Sequence, residues 1–514
     1  MRTKFILLIL IIFAVSATVT HSQNANNILL FNNQATLFGD QGPASDPVSI
    51  VMPGTAINSG LGTFLDNPAS VALFDESFGE FGLSFRSVDE ESTYLGNTQS
   101  LDHGGRGVSN AGFVYSFPTE RGSLVFGAAY AQHSIYTRAF GFGTRNERSS
   151  ITDAFKYSGS PYQEIAFNTF ATDYGDEFQD WDESIFRIGF DEFGDFLGIR
   201  QQGEVTRNGA GGEYSLFLAT EFQKNFMVGA SIGLISGNFS YDRIFQEVDN
   251  FNDYNFDVID VDENGTPGTD IDNILLDDNL ESSYTGFRAR AGLLYKINDK
   301  VNLGFSYTLP TVLFIDKDFD RTVITTFNNS FQFEDATEST FSYGAKYPCR
   351  FALGFGVQDL SGITLSLSAE YVDHSATEIR FDESDLFEDE LIENDFIQDN
   401  FRETWSYRAG LAYEVNPLVN LRAGYGFFPS RFEEGGGDRT AYSAGVGVKL
   451  GNGLTLEAAA QYLTLEETST VYEYADYNYS PLPDNPPGVT FDSEVANRSA
   501  DRLQVLATIR VALN

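Results

Sequence analysis

The chain has 514 residues, a net charge of −41, and one cysteine, Cys349. The acidic excess excludes nucleic-acid binding, which needs clustered Lys and Arg, and it fits a cell surface or a salty habitat. A single cysteine excludes disulfides within the chain and a cysteine-based metal site.

The first 22 residues have the layout of a cleavable export signal. Arg2 and Lys4 precede an apolar run from Phe5 to Val15, and small residues follow through Ser22. Beyond this segment no run of 18 or more apolar residues occurs. The sequence therefore predicts an exported chain whose mature part has no transmembrane helix.

Alternation of apolar and polar residues dominates the rest of the chain. In residues 362–372, GITLSLSAEYV, every second residue from Ile363 to Tyr371 is apolar or aromatic, and the residues between are polar. This pattern predicts a strand with one apolar and one polar face. The same pattern recurs at 301–309, 440–450, 453–463 and 502–514. Soluble β-sandwiches also alternate, so alternation alone does not decide the architecture.

The predicted connections alternate between short and long. The short ones are at 118–121, 223–225, 298–300, 359–362, 416–417 and 451–453, and the long ones are at about 89–107, 138–210, 243–280, 315–338, 381–400, 429–438 and 467–499. Outer-membrane barrels have tight turns at one end and long loops at the other. We therefore predict an all-β protein, a transmembrane antiparallel β-barrel of about 14 strands in the lipid of a bacterial outer membrane.

Aromatic and charged residues support this prediction. Two girdles of outward-facing aromatic residues are expected at the membrane interfaces, one of Tyr130, Tyr307, Tyr371, Tyr425 and Tyr462, the other of Tyr115, Phe222, Tyr295 and Tyr413. On the inner face, ion pairs across the lumen are expected among Arg288, Arg290, Arg408, Arg422, Arg510, Glu370, Glu414 and Glu457.

The segment before the first predicted strand is too long to be only a terminal extension without a structural role. We predict a signal peptide at 1–22, an amino-terminal hatch at 23–80, and the barrel at 81–514. Asn67-Pro68 predicts a turn in the hatch, and the apolar residues after it are expected to find cover inside the lumen. The hatch motif comprises Asn67, Pro68, Ala69, Val71, Leu73 and Phe74.

Several stretches resemble one protein family. Asn67-Pro68-Ala69, followed by Ser70 and Ala72, resembles the NPAG-x-A element in the hatch of the FadL/TodX-type transporters of long-chain fatty acids and hydrocarbons. Residues 302–311, 347–375 and 407–430 are similar to strands of the Bacteroidetes-type members of that family. The resemblance implies an outer-membrane transport protein with a plugged barrel, and not an enzyme.

The resemblance also implies a route for the substrate. A hydrophobic small molecule or fatty acid is caught among the outer loops, passes to a pocket inside the barrel, and leaves sideways into the membrane beside a kinked third strand. The strand GSLVFGAAYAQH would be the third strand here, with Gly127 as its expected kink. Transport of this kind requires no cofactor.

The acidic loops limit the expected substrate. Residues 243–280 contain eleven acidic groups and one basic group, Arg243. Such a field repels carboxylates at low salt. Neutral hydrophobic molecules, or fatty acids in salty water, are therefore the expected substrates.

The same loop contains a calcium candidate. Asp260, Asp262 and Asn264 precede Gly265, and Asp270 follows, as in a D-x-D-x-N-G calcium turn. Ile271 stands where the bidentate glutamate of such a turn is expected. An ordinary solvated acidic loop explains the same pattern and is favoured.

Other functions remain alternatives. A FadL-like barrel can act in protein interaction or secretion at the cell surface, and the long acidic loops could bind a surface protein. A lipid hydrolase is disfavoured because none of His21, His103, His133 and His374 lies in a recognisable nucleophile motif. A general porin is disfavoured because the hatch would block it.

Overall fold

The structure is a computed structural model. It describes residues 31–40, 42, 45–156, 160–174, 182–187, 196–254, 270–328, 330–382, 386–433, 436–451, 453–472 and 494–513. The predicted signal peptide lies outside these residues, as do Asp260, Asp262 and Asn264 of the calcium candidate. Within the described ranges, no helix combines the length and the apolar character needed to cross a bilayer.

Most of the described chain is β-strand. The strands are β1 Phe78–Tyr94, β2 Asn97–Ser116, β3 Leu124–Ile135, β4 Arg138–Asn146, β5 Thr172–Tyr174, β6 Asp182–Ser184, β7 Ile199–Gln223, β8 Phe226–Val248, β9 Ile271–Lys296, β10 Val301–Thr308, β11 Thr311–Phe327, β12 Gln332–Tyr347, β13 Arg350–Leu360, β14 Ile363–Asp373, β15 Glu378–Phe381, β16 Glu403–Asn416, β17 Val419–Phe428, β18 Arg439–Lys449, β19 Leu454–Tyr472 and β20 Glu494–Ala512. The helices are α1 Phe31–Gly39, α2 Thr63–Asp66, α3 Gln163–Asn168 and α4 Phe387–Asn400, and short 3-10 helices lie at Pro68–Leu73, Ile151–Ala154 and His374–Ala376.

Eighteen of these strands form one antiparallel sheet that closes on itself, because β1 pairs with both β2 and β20. Four spanning strands consist of two consecutive segments each, namely β3–β4, β10–β11, β12–β13 and β14–β15. The barrel therefore has 18 − 4 = 14 spanning strands, which confirms the predicted fold class. Closure of the sheet removes free strand edges, whose unpaired N–H and C=O groups could not form hydrogen bonds with lipid.

The exterior follows the predicted alternation. On β1, Phe81, Leu83 and Phe85 are exposed, whereas Glu80 and Ser84 point inward and are buried. Aromatic residues form rows across neighbouring strands: Tyr425, Tyr442 and Tyr462 oppose one another, as do Tyr307, Phe351, Tyr371 and Trp405. These rows agree with an aromatic girdle at one edge of an apolar belt.

Several strands are longer than the sequence predicts. A loop is predicted at 89–107, but β1 and β2 remain paired there up to a tight turn at Leu95–Gly96. The loops predicted at 243–280, 315–338 and 467–499 are likewise shortened by strand extensions. Beyond the lipid the outward positions become polar, so alternation no longer marks a strand whose backbone ladder continues.

The amino-terminal segment lies inside the barrel, as predicted for a hatch. Phe64 and Val71 pack against Val114, Phe217 and Leu294 of the wall. The rings of Phe64 and Phe217 are stacked with centroids 4.8 Å apart. We call residues 31–40, 42 and 45 the arm and residues 46–74 the hatch body; β1 follows from Phe78.

Candidate functional site

Glycines on the inner wall let the hatch body approach the strands closely. A Cβ atom built on Gly304 would lie 1.8 Å from the carbonyl oxygen of Thr55, and one built on Gly424 would lie 2.3 Å from that of Val51. Both distances are far below a van der Waals contact. Seven such positions form what we call the glycine belt: Gly229, Gly292, Gly304, Gly354, Gly356, Gly410 and Gly424.

Asn67 of the hatch motif joins the hatch body to the wall. Its Oδ1 accepts a hydrogen bond from Ala69 N at 3.0 Å, and its Nδ2 donates to the carbonyl oxygens of Thr55 at 2.7 Å and Leu293, on β9, at 3.1 Å. Pro68 starts a 3-10 helix, which is more ordered than the turn that the sequence predicts. Pro suits this position because its missing N–H would be unpaired there in any case.

The apolar residues of the motif lie in the cover that the sequence predicts. Ala69 and Val71 are fully buried, Phe74 is buried with its ring 5.1 Å from that of Phe78, and Leu73 is half-buried. Their role in transport stays a prediction, because packing alone does not test it.

A buried carboxyl group organises the hatch body. Asp46 accepts hydrogen bonds from the backbone N–H groups of Val48, Ser49 and Gly62, each at 3.0 Å. Burial and the nearby charge of Glu80 raise the pKa of Asp46 to about 7, against the opposing effect of these hydrogen bonds. The protonation state of Asp46 therefore changes near neutral pH.

The third spanning strand is irregular, but not at Gly127. Gly127 keeps regular pairing with Val114 on β2 and Phe217 on β7. The register shifts at His133, and the strand is interrupted between Ile135 and Arg138. Gly127 is required for space instead, since a Cβ there would lie 2.3 Å from the Phe217 ring. The predicted kink position is therefore wrong.

An opening lies between β2 and the third spanning strand. All residues from 97 to 146 are described, and within them β2 pairs with β3 only where Asn110–Ser116 faces Val125–Ala131. A bulge between Gly82 and Leu83 in the pairing of β1 with β2 marks the same level. Farther along, Asn97 Nδ2 donates to the carbonyl oxygen of Gly143 at 2.5 Å. We call the stretch between these contacts, residues 102–109 facing 132–137, the side window.

The arm lies against the inner side of this window. Gly42 N donates to the carbonyl oxygen of His133 at 3.0 Å, and Ser45 N donates to that of Gln132 at 2.8 Å. Ser134 Oγ donates to the carbonyl oxygen of Asp40 at 2.9 Å. The arm thus supplies hydrogen-bond partners to the third strand where β2 does not.

Three neighbouring strands are also interrupted near the arm. Leu309-Pro310 separates β10 from β11, and Pro348-Cys349 separates β12 from β13. A 3-10 helix at His374–Ala376 separates β14 from β15. Proline lacks the N–H that a central strand needs, so both proline positions break the ladder. The breaks place Arg350 and His374 beside the lumen.

A cavity of about 230 Å³ lies between the arm and the wall. Its charged lining consists of Arg138, Arg207, Arg350, Arg431, Arg439, Arg502, Asp40, Glu370 and Glu467. His133 to Thr137, at the side window, also line it. Six basic and three acidic groups give the lining a net charge of +3, the opposite of the whole chain. This cavity joins the arm, the side window and a cationic wall in one place.

Aromatic side chains surround the arm next to this cavity. Phe38 of α1 stacks on Tyr284 with ring centroids 4.7 Å apart and makes edge contacts with Tyr136 and Phe239. Tyr136 and Tyr284 share a hydrogen bond of 2.6 Å between their hydroxyl groups. These rings are buried against one another, and apolar side chains such as Leu37, Val88 and Phe428 line the cavity itself. Apolar groups thus lie beside charged ones, which suits amphipathic or apolar ligands.

The predicted ion pairs are mostly present, with partners that the sequence does not identify. Arg288 and Arg290 both pair with Glu213, Arg422 pairs with Glu457, Arg510 with Glu80, Arg350 with Glu370, and Arg408 with Asp66 of the hatch. Glu414 has the inward parity of Ala412 on β16, but it is exposed beside a short turn.

Sequence reasoning missed Asp40, Arg431, Arg439 and Arg502. Asp40 comes from the arm, and Arg431 follows a strand end, so no periodic pattern connects these residues. Inward-facing arginines in a strongly acidic chain could have indicated this charged cavity, because each buried guanidinium in the lumen must meet an anion or water. Of the calcium candidate, only Asp270 is described, just before β9, and calcium binding stays a prediction.

Comparison with known proteins gives one family. The model of the family described as "Outer membrane protein transport protein (OMPP1/FadL/TodX)" matches residues 213–497. No curated protein sequence is significantly similar to the chain. A FadL homologue of Pseudomonas aeruginosa is similar in structure at 13% identity, with a TM-score of 0.50 and coverage of 92% of this chain and 98% of that chain. The deltaS2S3 mutant of the TodX monoaromatic hydrocarbon channel has 11% identity, a TM-score of 0.50, and coverage of 92% and 99%. These similarities concern the fold.

Proposed function

Because the chain belongs to the OMPP1/FadL/TodX family of outer-membrane transport proteins, we propose that it takes up hydrophobic compounds through the barrel and releases them through the side window. Family membership makes it a transport protein of the outer membrane, and not an enzyme. The candidate substrates are long-chain fatty acids and neutral hydrocarbons. The loss of pairing between β2 and the third strand is the observation that carries the proposed route.

Physical reasoning supports a lateral exit. An apolar solute loses free energy when it leaves water for an apolar environment, so passage directly into lipid avoids a return to water. Val108, Leu83 and Phe85 are exposed beside the window and extend the apolar exterior to its edge. The hatch body closes the straight path through the lumen, which leaves the side as the shorter way out.

The arm would control the exit in this proposal. Its hydrogen bonds to Gln132 and His133 hold it across the inner side of the window. These bonds involve few groups, and each contributes only about 1 kcal/mol net. A rearrangement of the arm would break these bonds but no strand pairing, so it would expose the window without unfolding the barrel.

A reversible cross-link across the window tests the route. Gly105→Cys and Thr137→Cys flank Arg86, whose Nε donates to Thr137 Oγ1 at 3.1 Å and lies 2.8 Å from a Cβ built on Gly105. In a Cys349→Ser background, a cleavable bis-maleimide between them should abolish uptake of a labelled hydrophobic compound by cells, and reduction of the linker should restore it.

A matched pair on the closed ladder provides the control. Thr322→Cys and Ala336→Cys lie opposite each other on β11 and β12, and the same linker there should leave uptake unchanged. Unchanged uptake after complete linking of the window pair would refute lateral release. Running the assay with a fatty acid and with a monoaromatic hydrocarbon also separates the two substrate classes.

A surface-interaction role is the second candidate, and one observation favours it. Helix α4 is acidic, yet it exposes Phe387, Leu391 and Ile392 to the extent of 60%, 47% and 67%. Exposed apolar groups on a loop helix are typical of a binding surface. Capture of a surface protein that is lost on Leu391→Ser and Ile392→Ser, with uptake unaffected, would support this role.

A further inference from the structure

Asp40 places a carboxylate of the arm inside the cationic cavity. Its two oxygens accept hydrogen bonds from Arg439 Nη1 at 2.5 Å and Nη2 at 3.1 Å, and Arg431 Nη1 lies 3.5 Å away. This is the two-point geometry with which arginine binds a free carboxylate. Burial raises the pKa of Asp40, but Arg439 and Arg431 outweigh this effect and hold the pKa below its usual range. Asp40 is therefore charged in the cavity.

The same group of side chains holds the end of α1. Arg431 Nη1 donates to the carbonyl oxygen of Thr36 at 3.1 Å, Arg350 Nη2 to that of Gly39 at 2.6 Å, and Tyr347 OH to that of Ala35 at 2.5 Å. The last carbonyls of a helix have no partner within the helix and carry partial negative charge. Arginines and one tyrosine of the wall thus bind negative groups of the arm at the end of α1.

The cavity has binding capacity that Asp40 does not use. Within the described part of the chain, Arg502 has no carboxylate within ion-pair distance, and its buried Nε has no hydrogen-bond partner. His133 is 5% exposed, and its Nε2, beside the window, also has no partner. Unpaired buried polar atoms cost free energy, and a polar ligand would remove this cost.

We propose that Asp40 is an internal competitor for a carboxylate site formed by Arg431 and Arg439, and that an amphipathic carboxylate releases the arm by taking its place. This inference rests on the proposed function and specifies how the ligand opens the window. The head group would bind the two arginines, with Arg502 and His133 as additional partners. The tail would take the place that Phe38 leaves among Tyr136, Phe239 and Tyr284 of the wall.

The exchange of the Asp40 carboxylate for that of the ligand explains why release of the arm would depend on the ligand. Simple departure of Asp40 leaves buried arginines without a counter-charge, which is strongly unfavourable. Replacement by a ligand carboxylate keeps the charge balance of the cavity. A neutral compound of the same length cannot make this exchange, so it should bind without displacing the arm.

The test uses the purified full-length barrel in a non-ionic detergent, with dodecanoate and dodecanol as matched probes. Asp40→Asn keeps the shape of the side chain and removes its charge. We expect it to raise the affinity for dodecanoate roughly 5-fold or more, the range of an ordinary coupling between two sites, and to leave the affinity for dodecanol unchanged. Unchanged dodecanoate affinity would overturn the proposal.

Release of the arm is measured separately. Ala35 is fully buried, so a cysteine there, in a Cys349→Ser background, should react slowly with a water-soluble maleimide. Dodecanoate should accelerate this reaction and dodecanol should not, whereas in Asp40→Asn the reaction should be fast without ligand. Equal acceleration by both probes would contradict the exchange of carboxylates.

A second carboxylate of the cavity supplies the control. Glu467 lies on the wall and pairs with Arg138 at 2.7 Å and Arg498 at 3.3 Å, neither of which holds the arm, so Glu467→Gln removes the same charge from the cavity without touching the arm. It should leave the labelling of Ala35→Cys slow. Uptake of a neutral hydrocarbon through the window, measured in the same variants, distinguishes failure of this inference from failure of the proposed function. If only the inference fails, this uptake should be the same in the variants as in the unsubstituted protein.

Discussion

Substitution of Gly304 by alanine should displace the hatch body from the inner wall of the barrel. The added Cβ would lie 1.8 Å from the carbonyl oxygen of Thr55 and 2.7 Å from its carbonyl carbon. An ordinary contact begins at about 3.4 Å, so the hatch backbone must move by about 1.6 Å. Because the obstructing atoms belong to the backbone, no side-chain rotation relieves the clash.

The magnitude follows from measured costs of overpacking. Insertion of an extra methyl group into a well-packed interior typically costs about 1–3 kcal/mol. Since about 1.4 kcal/mol corresponds to a factor of ten, the population with a displaced hatch should rise roughly 5- to 150-fold. The barrel strand itself tolerates alanine, so we expect the barrel to remain folded.

Two measurements report the displacement. Ala72, in the 3-10 helix of the hatch, is only 4% exposed, and a cysteine there should react faster with a water-soluble maleimide in Gly304→Ala. Conductance in planar bilayers should increase, because the hatch no longer fills the lumen. Gly79→Ala on β1 is the control, since its Cβ would meet no atom closer than 3.9 Å. If Gly304→Ala matches both the unsubstituted protein and this control in the two assays, the glycine belt does not seat the hatch.

Three further predictions concern the hatch and the loops. Asn67→Ala leaves the N–H of Ala69 and the carbonyl of Leu293 without their side-chain partner, whereas the carbonyl of Thr55 keeps the hydrogen bond from Ser70 Oγ. It should destabilise the seated hatch by about 1–3 kcal/mol and accelerate labelling of Ala72→Cys. Asp46 has a pKa of about 7 in the seated hatch and about 3.9 when it is exposed to water. The seated hatch should therefore be most stable below about pH 4 and lose stability as the pH rises through 7. Labelling of Ala72→Cys should accelerate as the pH rises from 4 through 7, and Asp46→Asn should abolish this pH dependence. Uptake of a fatty acid should rise with ionic strength as salt screens the acidic loop at 243–280, while uptake of a neutral hydrocarbon should not; identical salt responses would exclude control by loop charge.

The predictable parts of the site are those encoded in local sequence. Asn67-Pro68 predicts a turn from local sequence alone, because the asparagine side chain accepts a hydrogen bond from the backbone that follows it and proline fixes its own φ. The apolar residues after it could be predicted to be buried, since only the lumen offers cover. That Asn67 also binds the carbonyl of Leu293 could not be predicted, because 226 residues separate the two.

The misplaced kink shows the limit of reasoning from residue type. Gly127 is a reasonable weak point within its strand, but glycine is used there to admit the ring of Phe217. The irregularity at His133 depends on the register with β7 and on hydrogen bonds from the arm. Neither partner is adjacent in sequence, so the strand's own residues carry no signal for it.

By itself, the sequence determined the architecture: alternation with period two and the unequal connections are enough for a closed barrel with an apolar exterior, because lipid accepts no unpaired backbone. Only the tertiary structure decided where the barrel is left open and which charges meet inside it. Asp40, Arg431 and Arg439 come from the arm and from the far end of the wall, and they form one site only because the chain closes on itself around its own amino-terminal segment.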